Sequence, residues 1–124
     1  NTVREICPDQ YGNLWLGTED NGINCFDAKT NKMVYFSFLY PERQLVATNI
    51  HGLFAEGYPL CIGSFNKGVE LMHIPTGKIL KNYTLANTGG GLISNFILCF
   101  YRTGQGDFLI GTSGGVVIYD KNNE

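Results

Sequence analysis

The chain spells nearly the same thing three times. Leu14-Trp15-Leu16-Gly17-Thr18 has counterparts in Leu60-Cys61-Ile62-Gly63-Ser64 and in Phe108-Leu109-Ile110-Gly111-Thr112. Gly17, Gly63 and Gly111 lie 46 and 48 residues apart; Asn1, Asn49 and Asn95 lie 48 and 46 apart. A fixed period of this size marks a repeat architecture, which constrains the fold more than any local propensity does.

The match continues past each glycine. Gly22-Ile23-Asn24-Cys25-Phe26-Asp27 aligns with Gly68-Val69-Glu70-Leu71-Met72-His73 and with Gly115-Val116-Val117-Ile118-Tyr119-Asp120. Asn1 to Gly17 and Asn95 to Gly111 each span 16 positions, whereas Asn49 to Gly63 spans 14. The second repeat is therefore expected to have a turn shorter by two, because a length change inside a strand would invert its faces.

Four short strands are expected per repeat. In the first they are Thr2–Cys7, Leu14–Thr18, Ile23–Asp27 and Met33–Phe38. Asp9-Gln10-Tyr11-Gly12-Asn13 is rich in turn formers, and Ile74-Pro75-Thr76-Gly77-Lys78 is a hairpin signal with glycine where a positive φ is wanted. The strands are near-continuous apolar runs, which suits burial on both faces. No stretch carries a sustained 3.6-residue period, so little or no helix is expected. A four-stranded antiparallel sheet packed on a neighbour at each face is a propeller blade. Units of about 40–50 residues fit blades and exclude the shorter solenoid repeats. The expected fold is all-β: about three four-stranded antiparallel β-propeller blades at about 1–44, 45–91 and 92–124, the last lacking its final strand.

Val3-Arg4-Glu5-Ile6, Asp9, Gly12-Asn13-Leu14-Trp15-Leu16-Gly17-Thr18 and Asn21-Gly22-Ile23 together resemble the two-component regulator propeller repeat. The third repeat is similar through Asn95, Phe100, Gly106, Ile110-Gly111-Thr112, Gly115 and Tyr119-Asp120. The second departs most: Glu56-Gly57-Tyr58 replaces the aspartate-to-glycine turn, and Cys61 stands where the tryptophan would be. The resemblance implies the extracytoplasmic, periplasmic sensor region of a hybrid two-component regulator. The parent would then be a sensor histidine kinase, with an oligosaccharide as ligand. It implies no cofactor and no catalysis by this segment.

Three blades do not close a ring, since propellers have about four to eight. Both ends are expected to be cut from a longer array. Such an arc leaves two blade faces uncovered, so self-association through them is expected. Nine basic and 11 acidic residues give a formal charge of −2. Without a cationic stripe, a nucleic-acid partner is not expected. No run of apolar residues reaches membrane-spanning length, so no membrane contact by this segment is expected.

Catalytic or metal chemistry finds no support. The four cysteines form no metal-ligand spacing. Cys25 aligns with Leu71 and Ile118, and Cys61 with Trp15 and Leu109, so both read as buried small hydrophobes. Cys99 is expected to be more exposed. An oxidising compartment would permit a disulfide, but no pair is singled out. His51 aligns with Val3 and Ile97, and His73 with Asp27 and Asp120; both read as packed or turn residues. Gly89-Gly90-Gly91 lacks the Lys-Ser/Thr of a phosphate loop and reads as a flexible inter-blade connection. Asn49 and Asn95 are expected to start strands by Asx-type hydrogen bonds. Trp15 reads as core.

Ligands of propellers bind at loops. The loops joining second to third strands share a face with the inter-blade connections. That face is expected to carry Glu19, Asp20 and Asn21; Phe65, Asn66 and Lys67; Ser113; Tyr40, Glu42 and Arg43; and Asn87 and Thr88. Phe65-Asn66-Lys67 is the most suggestive set, since an aromatic face beside an amide and a cation suits a sugar. The candidate ligand-binding residues are Asp20, Asn21, Arg43, Phe65, Asn66 and Lys67. A structural or protein-interaction propeller without a small ligand is the alternative.

Overall fold

A computed structural model describes residues 2–20, 22–35 and 49–119. They form eleven strands. These are β1 (Val3–Pro8), β2 (Asn13–Thr18), β3 (Ile23–Asp27), β4 (Lys32–Tyr35), β5 (Ile50–Ala55), β6 (Pro59–Ser64), β7 (Val69–His73), β8 (Lys78–Tyr83), β9 (Ile97–Arg102), β10 (Phe108–Thr112) and β11 (Gly115–Tyr119). They make three antiparallel meanders: β1 to β4, β5 to β8, and β9 to β11. No helix occurs among the described residues, and so none is long and apolar enough to cross a membrane. The expected β-propeller blades are present. The end of the expected fourth strand of the first repeat, and everything after Tyr119, lie outside the described residues.

The first strands of the three blades lie side by side, β1 next to β5 and β5 next to β9. Each carries a bulge at the same place. Val3 pairs with Thr18, Ile50 with Ser64 and Ile97 with Thr112, and the register shifts immediately afterwards in all three. Two expectations are corrected by this register. His51 occupies the bulge with Arg4 and Leu98, and it is Ile50 that corresponds to Val3 and Ile97. Asn49 corresponds to Thr2 and Phe96, one place off the asparagine period. The carbonyls of Thr2, Asn49 and Phe96 accept from Glu19, Phe65 and Ser113 N–H, in that order, at 2.9, 2.9 and 3.1 Å. The turn of the second repeat is thus shorter by one residue, not two. The missing residue lies between Glu56 and Pro59, matching Asp9 to Asn13.

The repeated glycines are explained by blade packing. A Cβ on Gly17 would lie 2.8 Å from Ile50 Cγ2, and one on Gly63 would overlap Ile97. Ile50 and Ile97 are both fully buried. Each therefore plugs the slot that a glycine opens in the preceding blade, and bulk at the glycine would push the blades apart. The core follows the same seams. Trp15, Ile23 and Cys25 of the first blade cluster with Ile50, Leu60, Ile62 and Met72 of the second. Val69 of the second clusters with Ile97, Phe108 and Ile110 of the third.

The residue after each glycine clamps the loop that follows. The hydroxyls of Thr18, Ser64 and Thr112 are buried and donate to the carbonyls of Gly22, Gly68 and Gly115 at 2.8, 3.2 and 2.8 Å. A buried hydroxyl needs such a partner. The clamp brings the ends of each loop between second and third strands together, which lifts the intervening residues out on one face.

Candidate functional site

Phe65, Asn66 and Lys67 are the residues so lifted, and all three side chains are exposed. The loop is anchored at both ends. Lys67 N–H donates to Ser64 Oγ at 2.9 Å, and Asn82 Nδ2 donates to the Lys67 carbonyl at 3.0 Å. An isolated antiparallel bridge joins Phe65 to Phe96 at the entry to the third blade.

The Phe65 ring lies between two neighbours. His51 stacks on it at 5.1 Å and 26°, and Phe96 meets it edge-on at 4.8 Å and 75°. Offset and edge-to-face geometries of this kind stabilise aromatic clusters by about 0.5–1.5 kcal/mol per pair. His51 also feels the first blade. Burial pushes its pKa down, the Arg4 guanidinium adds to this, and Glu19 acts the other way. Arg4 Nη2 in turn bridges Glu19 at 3.1 Å. Arg4, Glu19, His51, Phe65 and Phe96 thus run in sequence across all three blades on the loop face.

Of the expected site residues, Phe65, Asn66 and Lys67 come together, and Asp20 is exposed in the equivalent loop of the first blade. Asn21 and Arg43 lie outside the described residues, as do Tyr40 and Glu42. Glu19 is not merely solvated: the hydrogen bond from Arg4 holds its carboxyl below the usual carboxylate range. His51 and Phe96 are new members. The signal for His51 was the bulge, which an alignment by asparagines hides.

Two expectations about the connections are corrected. Asn95 does not make an Asx turn; its Oδ1 accepts from Leu85 N–H at 2.8 Å, ten residues back, and Ser94 Oγ accepts from Phe96 N–H at 3.1 Å. Residues 84–92 are not a loose linker. Thr88 N–H reaches the Thr84 carbonyl at 3.1 Å, Gly90 N–H the Leu85 carbonyl at 3.1 Å, and Leu92 N–H the Thr88 Oγ1 at 2.9 Å.

Two open recesses, of about 240 and 470 Å³, lie between the second and third blades, and Cys61 and Phe108 line both. Cys61 is the position that Trp15 fills in the first blade. Neither recess is lined by Phe65, Asn66 or Lys67. Among the described residues no group of three His, Cys, Asp or Glu side chains could hold a metal ion.

Residues 1–20 and 91–114 match the family model described as two component regulator propeller. The second repeat, with Cys61 at the tryptophan position, falls outside the match. No curated protein matches by sequence. Among solved structures, the whole chain superposes on the extracellular domain of BT4673 of B. thetaiotaomicron, assigned as a hybrid two component system. The TM-score is 0.81 at 18% identity, covering 18% of that chain. The equivalent domain of BT3049 from the same organism gives a TM-score of 0.66 at 19% identity, with 100% of this chain and 23% of that one covered. PorZ, a surface component of the type-IX secretion system of Porphyromonas gingivalis, gives 0.76 at 17% identity, covering 98% of this chain and 18% of PorZ. The chain therefore spans about a fifth of the length of the structures it resembles, and at these identities the likeness is one of fold. Its first and third repeats thus match the two-component regulator propeller model, and its blade architecture is shared with these structures over its whole length.

Proposed function

We propose that the chain is a noncatalytic segment of the extracytoplasmic, periplasmic sensor propeller of a two-component regulator. Its loop face would take an oligosaccharide at Phe65, Asn66 and Lys67, with Asp20 and the sequence candidates Asn21 and Arg43 as further proposed contacts. The observation that carries the reading is the match of two repeats to the two-component regulator propeller model. The exposed Phe65 ring, fixed between His51 and Phe96, supports the choice of ligand. A preformed aromatic ring beside an amide and a cation offers a stacking face and hydroxyl partners at low ordering cost. Signalling would follow only if the ligand binds one packing state of the parent propeller better than the other.

The test is calorimetric titration of the chain with a panel of neutral and acidic oligosaccharides, beside Phe65→Ala and Lys67→Ala. Binding that weakens at least about tenfold in Phe65→Ala, with circular dichroism unchanged, is the expected result. Binding unaffected by either substitution would remove the site. No binding by the chain or by a longer propeller containing it would favour a structural or protein-interaction propeller. The fold shared with PorZ, a secretion-system surface component, gives that second reading its support.

A further inference from the structure

The three blades carry the same two backbone positions on the loop face, and each blade fills them differently. One position is the bulge of the first strand, held by Arg4, His51 and Leu98. The other follows the clamping hydroxyl and donates its N–H to the residue two before the bulge; it is held by Glu19, Phe65 and Ser113. In the first blade the pair is ionic, Arg4 to Glu19 at 3.1 Å. In the second it is a stack, His51 on Phe65 at 5.1 Å. The backbone stays constant while the chemistry passes from charged to aromatic, so these positions vary where a scaffold presents its loops.

His51 sits where the chemistry changes. Its ring packs on Phe65 and feels both charges of the first blade, Arg4 and Glu19. Neither ring nitrogen has a hydrogen-bond partner among the described residues. His73, at the other end of the second blade, differs in this: its Nδ1 meets Thr76 Oγ1 at 2.8 Å. Burial and then Arg4 hold His51 below its ordinary 6.5 against the pull of Glu19, so near neutral pH it is an uncharged imidazole with one donor and one acceptor. Arg4 spends one nitrogen on Glu19 and keeps others for a ligand. Phe65 is 42% exposed, so its ring keeps an open face although His51 and Phe96 pack on it. Toward the third blade the row offers the apolar Phe96 and Leu98, and the Ser113 hydroxyl is taken by Ser94 at 3.0 Å. Free hydrogen-bonding groups therefore lie on the first-blade side of Phe65.

We propose that His51 is a specificity residue of the loop-face site, hydrogen-bonding a hydroxyl of the sugar unit next to the one stacked on Phe65, with Arg4 on that same unit. The inference rests on the oligosaccharide reading of this site. It narrows the ligand to a glycan of two or more units that lies from the second blade toward the first. One unit stacks on an aromatic ring, and the next is read through its hydroxyls. A hydroxyl both donates and accepts, which matches a neutral imidazole; a charged imidazole only donates.

The probe is an array of neutral and acidic glycans, from single sugars to hexasaccharides. It is read with the whole chain and with Phe65→Ala, His51→Phe and His51→Ala, near neutral pH and at about pH 5, with circular dichroism checking each fold. The unaltered chain is expected to bind disaccharides and longer glycans, and Phe65→Ala to lose them. His51→Phe keeps a ring against Phe65 but loses the nitrogens, so it should bind about fivefold more weakly, the worth of one hydrogen bond. Acid should weaken the unaltered chain by a similar factor and leave His51→Phe unchanged. Charging His51 removes its acceptor, while Glu19, held below its ordinary 4.5 chiefly by the bond from Arg4, keeps its charge. Full binding by His51→Phe beside loss in His51→Ala would show that the ring only supports Phe65, and would overturn the proposal. So would an acid loss that persists in His51→Phe, no acid loss in the unaltered chain, or equal binding of single sugars. Failure of the site itself looks different: no glycan bound by the unaltered chain, or binding indifferent to Phe65→Ala, would remove the site and the role of His51 with it.

Discussion

The indole Nε1 of Trp15 donates to Oδ2 of Asp9 at 2.8 Å, across the turn that joins the first two strands. The same carboxylate accepts from Tyr11 N–H, Asn13 N–H and Asn13 Nδ2 at 2.8, 3.0 and 2.9 Å. One aspartate thus closes the turn and orients the largest core side chain. Partial burial pushes its carboxyl up, but the bonds from Asn13, Trp15 and Tyr11 outweigh this and hold it below its ordinary 3.8. A depressed folded pKa contributes stability that is present above the ordinary value and lost as pH falls through the lowered one. Asp9→Ala should cost about 2 kcal/mol at neutral pH, since charged hydrogen bonds are lost around a buried ring. Asp9→Asn should flatten the acid limb below about pH 4. Urea midpoints from neutral to acid pH check both; unchanged acid sensitivity in Asp9→Asn would show that another carboxylate carries it.

Gly63 opens the slot for Ile97, so any side chain there must displace a fully buried isoleucine and the Phe100 ring, whose Cζ would stand 3.0 Å from the new Cβ. Gly63→Ala is expected to cost about 1–3 kcal/mol, the range for overpacking a core. Gly104 supplies the control, since a Cβ there would meet nothing within 4 Å. Gly104→Ala should fall within about 0.5 kcal/mol of the parent. Equal midpoints for the two variants would remove the plug-and-slot account of the repeat.

Trp15, Gly17 and Thr18 were legible because the period repeats their positions. Trp15 fills the core, Gly17 opens the slot and Thr18 clamps the loop. Phe65 was legible as an exposed aromatic in the equivalent loop. His51 and Phe96 were not. Aligning Asn49 with Asn1 set the second repeat off by one, and one place in a strand exchanges its two faces. The bulge shared by β1, β5 and β9 adds a residue that only cross-strand pairing reveals. The hydrogen bond from Leu85 to Asn95 was hidden for another reason: it joins two ends of a connection, and no local pattern encodes it.

The four cysteines are unpaired and differ in reach. Burial pushes the Cys25 and Cys61 thiols up to about 11 and raises that of Cys7. Cys99 is exposed on the third blade. At pH 8 a thiol at about 11 is only about one-thousandth thiolate, the reactive form. In dilute solution a thiol reagent should label Cys99 first and reach Cys25 and Cys61 only on unfolding. Mass spectrometry of timed digests reads the order. Labelling of Cys61 as fast as Cys99 would mean that the recess between the second and third blades admits the reagent freely.

Among the described residues two arginines make ion pairs, and their surroundings predict unequal worth. Arg4 meets Glu19 through one nitrogen at 3.1 Å, with both side chains well exposed. Exposed pairs of this kind contribute little, so Arg4→Ala should change stability by less than about 0.5 kcal/mol. Arg102 does more. Its Nη2 and Nε reach the two oxygens of Glu56 at 2.7 and 3.1 Å, and its Nη1 donates to the Gly106 carbonyl at 2.9 Å. Its guanidinium lies 5.0 Å from the centre of the Phe108 ring. Glu56 belongs to the second blade and Phe108 to the third, so one planar group ties the turn at one blade to the core of the next. Arg102→Ala should cost about 1–2 kcal/mol through lost packing and ring contact as well as charge. Arg102→Lys should recover less than half of that, because an ammonium cannot make the fork. Salt separates the two contributions: added salt should erase the small effect at Arg4 and leave most of that at Arg102. A loss at Arg102 that vanishes in salt would mean that its charge alone, and not its position over Phe108, holds the two blades together.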